Sequence, residues 1–235
     1  MGPTVAPFGS WNSPITAELL AYRTRAGTRP DVGLGLFTLD GEDLYWVEVR
    51  RAEAGRSVIA RQTADGRQED VTPPGFDARS KVHEYGGGAF TVAGGTVYFS
   101  NFSDQRLYRH DPGSDPRPIT PEDDLRYADA RVDAVRGRLV CVQEDHSAGG
   151  REPVNRLVAV DLEGTASPQP LASGNDFYAA PRLSPTGSDL AWLAWNHPNM
   201  PWDGTELWLA ALGTDGSLVD PHRVAGGPAE SIVQP

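Results

Sequence analysis

The stretches GEDLYWVEV (41–49), GGTVYFSNF (94–102), RGRLVCVQE (136–144) and GSDLAWLAW (187–195) are versions of one pattern: turn residues, then a run of aliphatic, aromatic and β-branched side chains. Each reads as a strand entered from a tight turn. A second set follows each of them in the same order: RSVIARQT (56–63), DQRLYRHD (104–111), VNRLVAVD (154–161) and GTELWLAA (204–211). Within this set Val58, Leu107, Leu157 and Leu207 recur at about 50 residues. That spacing is the length of a repeating four-stranded unit.

Working outward, each unit gains an opening strand, LGLFTLD (34–40), GGGAFTVAGG (86–95), ADARVDAVRG (128–137) or APRLSPTGS (180–188). Each also gains a closing one, DVTP (70–73), PITP (118–121), QPLAS (169–173) or RVAGG (223–227). The expectation is an all-β chain, a β-propeller of four-stranded antiparallel blades near 34–76, 77–125, 126–174 and 175–228, with the start of a fifth at 229–235, where ESIVQP (230–235) resembles another opening strand. Together these make a partial propeller domain over 34–235, preceded by a segment 1–33 in which Ser13 or Thr16 caps a short helix, PITAELLAYR (14–23). Four blades and a stub leave two flanks uncovered, so the sequence reads as an incomplete ring and a fragment of a longer protein.

Composition narrows the partners. A net charge of -11 opposes binding to a nucleic-acid backbone or an anionic membrane surface, and 39% hydrophobic content suits a folded core. Cys141 is the only cysteine, so it forms no intrachain disulfide and reads as a small buried hydrophobe within a strand. The sequence shows neither a secretory leader pattern nor an apolar run long enough to span a membrane, which makes a cytoplasmic location the default expectation.

In a four-stranded blade, the loops entering the first strand and those joining the second to the third emerge on one face. Sorted this way, FDARSKVHEYGGG (76–88), SNFSDQR (100–106), QEDHSAGGREPVN (143–155), SGNDFYAAPR (173–182) and NHPNMPWDGTE (196–206) share a face. The other face receives short Asp-Gly and Gly-Gly turns such as LDGED (39–43) and GTDGS (213–217). Binding groups sit on loops held by a rigid scaffold, so the loaded face is the expected functional one. Its candidate substrate-binding or domain-interface residues are His83, Glu84, Tyr85, Asn101, Glu144, His146, Phe177, Tyr178, Asn199 and Trp202. Gly86, Gly87 and Gly88 are expected to let the loop approach the centre of the propeller closely.

No cofactor is expected. His83, His146 and His197 share the face but belong to different blades, without ligand spacing, so no metal site is expected either. No G-x-S-x-G elbow occurs, and no catalytic residue is assigned; the chain alone is expected to be inactive.

SWNSPITAELL (10–20), DVTPPGFDARSKVHEYGGGAF (70–90), DLRYADARVD (124–133), EDHSAGGREPVNRLVAVDL (144–162) and LAWLAWNHPNMPWDGTELW (190–208) resemble the N-terminal propeller of bacterial prolyl oligopeptidase-family serine peptidases. The likeness is to the branch of acylaminoacyl-peptidases and dipeptidyl aminopeptidases. The resemblance implies a partner outside these residues, a C-terminal α/β-hydrolase domain carrying a Ser-Asp-His triad, with no triad residue in this chain. It also implies a propeller that gates and recognises short peptides or aminoacyl amides. Alternatives are a non-enzymatic TolB-like propeller binding module and a metal-dependent propeller hydrolase. Glu84 has two readings: it meets a cationic substrate group such as a free α-amine, or it pairs with Arg79 or Arg182 to fix an interface.

Overall fold

The computed structural model describes residues 32–150 and 152–233. The expected helix at 14–23 lies outside the described residues. Four four-stranded antiparallel sheets follow one another along the chain. The first holds β1 (Val32–Asp40), β2 (Asp43–Arg50), β3 (Arg56–Gln62) and β4 (Gln68–Asp70). The second holds β5 (Phe90–Ala93), β6 (Thr96–Ser100), β7 (Leu107–His110) and β8 (Arg117–Pro118). The third holds β9 (Leu125–Asp133), β10 (Arg138–Asp145), β11 (Val154–Asp161) and β12 (Gln169–Ala172). The last holds β13 (Phe177–Leu183), β14 (Asp189–Trp195), β15 (Glu206–Leu212) and β16 (Leu218–Gly226). Strands pair in chain order within each sheet, and β1, β5, β9 and β13 adjoin in series, which makes them the inner strands. The expected all-β propeller of four-stranded blades is the fold that forms.

The sheets are held face to face by the period-2 alternation of their second strands. Val97 and Phe99 pack toward the first sheet with Tyr45 and Ile59, while Tyr98, between them, packs toward the third. Leu139 and Cys141 turn toward Tyr98 and Ile119; Val140 and Val142 turn toward Tyr178, Leu190 and Trp192. Because both faces of an internal blade are covered, these strands read as unbroken apolar runs rather than alternating ones. Cys141 is fully buried in this packing, as the sequence implies, and burial raises its thiol pKa.

The inner strands bulge. The β9–β10 register shifts between Val140 and Val142, with Asp129 at φ 55°, and the β13–β14 register shifts between Ala179 and Arg182, with Ala180 at φ 50°. At the first bulge the Asp129 carboxylate accepts a hydrogen bond from the Gly88 N–H of the second sheet and another from the Ala180 N–H of the fourth, 3.1 Å away. The Asp129 N–H donates in return to the Gly88 carbonyl at 2.7 Å. One side chain therefore fastens three consecutive blades at their inner edges.

The glycines are explained by the same junction. A Cβ on Gly88 would stand 2.6 Å from Asp129 Oδ1, one on Gly87 would stand 3.0 Å from the Ala128 Cβ, and Gly86, at φ +85°, would bring its Cβ 2.9 Å from the Ser80 carbonyl oxygen. At Gly87 and Gly88 the loop lies too close to β9 for side chains, and at Gly86 it turns against its own Ser80 backbone.

Residues 231–233, expected to open a fifth unit, carry no strand. They are held by an exchange with the fourth sheet in which Ile232 N–H donates to Thr205 Oγ1 at 2.6 Å and Thr205 Oγ1 donates to the Ile232 carbonyl at 2.7 Å. An inner strand needs a hairpin partner to form a ladder, and these residues have none among the described residues.

Asp129→Ala is expected to destabilise the fold by about 1–3 kcal/mol, because two partly buried amides lose their acceptor. Asp129→Asn, which keeps one acceptor oxygen, should cost less. Urea unfolding of both variants checks the order; equal midpoints for Asp129→Ala and wild type would refute the clamp.

Candidate functional site

A cavity of about 420 Å³ opens on the loop-rich face where the second, third and fourth sheets meet. Its walls come from strand ends that point the same way: Arg126 near the start of β9, Glu144 near the end of β10, Phe177 at the start of β13 and Trp195 at the end of β14. The loop leading to β5 adds His83, Glu84 and Tyr85, and the loops after β10 and β14 add His146, Glu152, Pro153, Met200 and Pro201.

The loop at 81–89 is tied down from several sides. Ser80 donates its hydroxyl to the Tyr127 carbonyl at 2.7 Å, and the Lys81 N–H donates to Gln105 Oε1 at 2.7 Å. The His83 N–H donates to Glu144 Oε1 at 2.8 Å. His83 and Glu84 both sit in the left-handed region, at φ 55° and 62°, a conformation that non-glycine residues keep only where the surroundings hold them in it.

Glu144 is the buried charge of the site, its side chain 3% exposed. Besides the His83 amide it meets His146 Nε2 at 3.1 Å and Arg126 Nη1 at 3.5 Å. Glu84, 80% exposed, is bound to Arg126 Nη1 at 2.6 Å, and Arg126 also donates to the Lys81 carbonyl at 3.0 Å. The hydrogen bond from Arg126 holds the Glu84 carboxyl below the usual carboxylate range. Glu84's partner is therefore Arg126, not Arg79 or Arg182; Arg79 pairs with Asp77 at 3.4 Å and stacks on the Phe102 ring.

The other wall is aromatic. Phe177 stacks on Trp195 with centroids 5.2 Å apart, and His83 meets the edges of both rings at 5.4 Å. Tyr85 approaches His83 at 5.7 Å, and His197 packs edge-on to Phe177 at 5.0 Å. Burial lowers the His83 pKa more than the nearby Glu144 and Asp129 charges raise it, so the ring is neutral at pH 7. Burial likewise raises the Tyr85 pKa.

Of the residues expected from sequence, His83, Glu84, Tyr85, Glu144, His146 and Phe177 converge on this cavity, with Gly86, Gly87 and Gly88 supporting their loop. Asn101, Tyr178, Asn199 and Trp202 do not line it. Asn101 is a buried corner: its Oδ1 accepts from the Asp77 N–H at 3.1 Å while its amide group donates to Ser103 and Asp104. Tyr178 is core, with its hydroxyl on Asn175. Asn199 donates to the Pro228 carbonyl at 2.9 Å, and Trp202 is 67% exposed on the adjoining loop.

Arg126 and Trp195 were not picked out by sequence reasoning as site residues. Arg126 occupies an inner strand, where nothing local marks it. Trp195 carries the signature of a core residue and is indeed buried, with its ring also serving as a cavity wall. A larger cleft of about 780 Å³ lies at the rim between the first two sheets. Its arginines are neutralised in place, Arg50 by Glu48 and Asp70, Arg56 by Glu53 and Arg61 by Asp43 and Glu69. Among the described residues no group of three or more His, Cys, Asp or Glu side chains is placed to hold a metal ion, and no helix is long and apolar enough to cross a membrane.

Fold and site together define a propeller segment whose one loaded face carries a charged, aromatic-walled cavity. No family model and no curated protein matches the chain. Among solved structures, a puromycin hydrolase superposes with a TM-score of 0.85 at 36% identity over 99% of this chain and 37% of its own. A puromycin-hydrolysing peptidase of Mycobacterium tuberculosis gives 0.82 at 38% identity over 97% of this chain and 36% of its own. The chain thus spans little more than a third of the length of either. TolB from Acinetobacter baumannii, at a TM-score of 0.57 and 15% identity over 87% of this chain and 48% of its own, shares the fold alone. The chain is a relative of the N-terminal propeller of prolyl oligopeptidase-family peptidases, of the puromycin-hydrolysing kind.

The neutral His83 sets a pH dependence. Its folded pKa lies below the unfolded value of about 6.5, so the unfolded chain binds the extra proton and stability falls as pH drops below that value. Above it the contribution is fully present. His83→Asn, which tolerates the left-handed backbone, is expected to flatten the stability profile between about pH 7 and 5. Denaturant midpoints measured across that window test this; an unchanged slope would assign the dependence to other groups.

Proposed function

We propose that this chain is the gating and substrate-recognition propeller of a serine peptidase that hydrolyses short peptides or aminoacyl amides. Nucleophile, base and oxyanion hole belong to an α/β-hydrolase domain outside these residues. The observation that carries the reading is the cavity: Glu84, Glu144 and Glu152 outnumber the single guanidinium of Arg126, beside a wall of stacked aromatic rings. A site with surplus carboxylate and an apolar wall suits a substrate that joins a cationic amine to an aromatic or apolar side chain. Puromycin, named for the relatives, is an aminoacyl amide with a free amine and an aromatic side chain, so it belongs to that class.

In the intact protein, where a hydrolase domain over this face would desolvate the otherwise 80% exposed Glu84 side chain, Glu84→Gln is expected to lower kcat/KM for aminoacyl amides with a free amine by about ten- to a hundredfold, the worth of a desolvated charge-assisted hydrogen bond. N-acetylated counterparts should change little. An equal loss on both would place Glu84 in the support of the loop, and an intact protein that hydrolyses neither class would end the peptidase reading in favour of a binding module. The isolated 235-residue chain should remain unlabelled by a serine-directed fluorophosphonate, since no activated nucleophile is assigned to it.

A further inference from the structure

Most arginines among the described residues pair with a carboxylate where they stand. Arg50, Arg109, Arg126, Arg136, Arg138 and Arg156 each lie within 4.0 Å of a carboxylate. Arg106, Arg131 and Arg182 break the pattern, but the Arg106 guanidinium closes on the Thr120 carbonyl through two donors, at 2.9 and 2.6 Å. The Arg131 guanidinium donates only to the carbonyl of Ala130, at 3.2 Å, and that of Arg182 only to the carbonyl of Pro181, at 3.0 Å. Neither forms an ion pair among the described residues.

Their positions are equivalent. Each follows by two residues the left-handed residue of its inner-strand bulge, Asp129 in β9 and Ala180 in β13, and each pairs with the corresponding residue of the second strand, Val140 or Ala191. The hydrogen bond from the Ala180 N–H to the Asp129 carboxylate, at 3.1 Å, fixes the two bulges side by side. Asp129 is the nearby carboxylate that would be expected to balance them, yet its oxygens are taken by the amides of Gly88 and Ala180. Burial disfavours the charge on Arg131 and the neighbouring Arg182 charge disfavours it further, while the Asp129 charge offsets them only in part. Two partly buried like charges on adjoining strands share the field of one carboxylate that hydrogen-bonds to neither, which leaves both guanidinium forks open to a further anion.

We propose that Arg131 and Arg182 bind one small oxyanion, a carboxylate or a phosphate group, at the inner edge of the third and fourth sheets. The planar guanidinium fork matches either anion with paired N–H donors. The site is separate from the aromatic-walled cavity: Arg126, in that cavity, and Arg131 stand roughly 15 Å apart along β9, toward opposite faces of the propeller. It does not depend on the peptidase reading.

The test is thermal unfolding of the intact protein at constant ionic strength, with chloride exchanged for inorganic phosphate, or with a tripeptide free acid compared with its amide. Phosphate or the free acid is expected to raise Tm saturably, as a ligand specific for the folded state must. Arg131→Gln and Arg182→Gln should each weaken the apparent affinity at least tenfold. A shift with phosphate alone identifies the ligand as a free oxyanion; a shift with the peptide acid but not its amide identifies a peptide carboxylate. Should the glutamine variants fail to fold, Arg131→Lys, which keeps the charge but loses the fork, should weaken binding several-fold. No shift beyond that of chloride, an equal shift in the Arg131→Gln/Arg182→Gln double variant, or unchanged affinity in Arg131→Lys would each overturn the proposal.

Discussion

The carboxylate of Asp129 is the constraint on which the inner architecture depends. Blades pack through apolar faces, which are strong but non-directional and permit sliding. Two main-chain amides from different sheets, both aimed at one side chain held in a left-handed bulge, fix the offset of three successive blades. The offset in turn brings the loop at 81–89 onto β9, where Gly87 and Gly88 leave no room for a Cβ, and so sets where His83, Glu84 and Tyr85 project. Position of the cavity follows from the clamp, not from the loop's own preference.

Much of the fold was legible because blade architecture is written in repeated form: an apolar strand after a turn, at a spacing of about 50 residues, is visible without any partner in view. Sorting loops by face also gathered six of the cavity's side chains, since strand direction alone decides on which side a loop emerges. Sequence could not separate members of the same face by depth. Asn101 and Glu144 are both polar residues at strand ends, yet Asn101 is used up closing a corner while Glu144 turns to the cavity. Arg126 escaped because the opening strand expected at 128–137 in fact begins at Leu125, and it is this earlier start that sets Arg126 opposite Glu144. The pairing of Glu84 with Arg126 was invisible for the same reason.

Charge is handled differently at the two ends of the inner strands. On the loop face, acids exceed bases around an apolar wall; at the other end of β9 and β13, two arginines stand without an acid of their own. A chain of net charge -11 has ample carboxylates to quench a stray arginine, so this separation is a property of how the strands are placed and not of composition. The rim shows the contrast, because there Arg109 and Arg117 converge on Glu163 across the second and third sheets and act as ties between blades.

Glu144 grips the 81–89 loop through the main chain of residue 83 and not through its side chain. Any residue has that N–H except proline. The anchor of the loop is thereby uncoupled from the ring that faces the cavity, and the demand on position 83 reduces to tolerance of a left-handed backbone. Among descendants of this sequence, the chemistry of one wall can drift from imidazole to amide or to nothing at all while the scaffold beneath it keeps its geometry, so altered selectivity is open to this protein by single substitutions that leave the architecture intact.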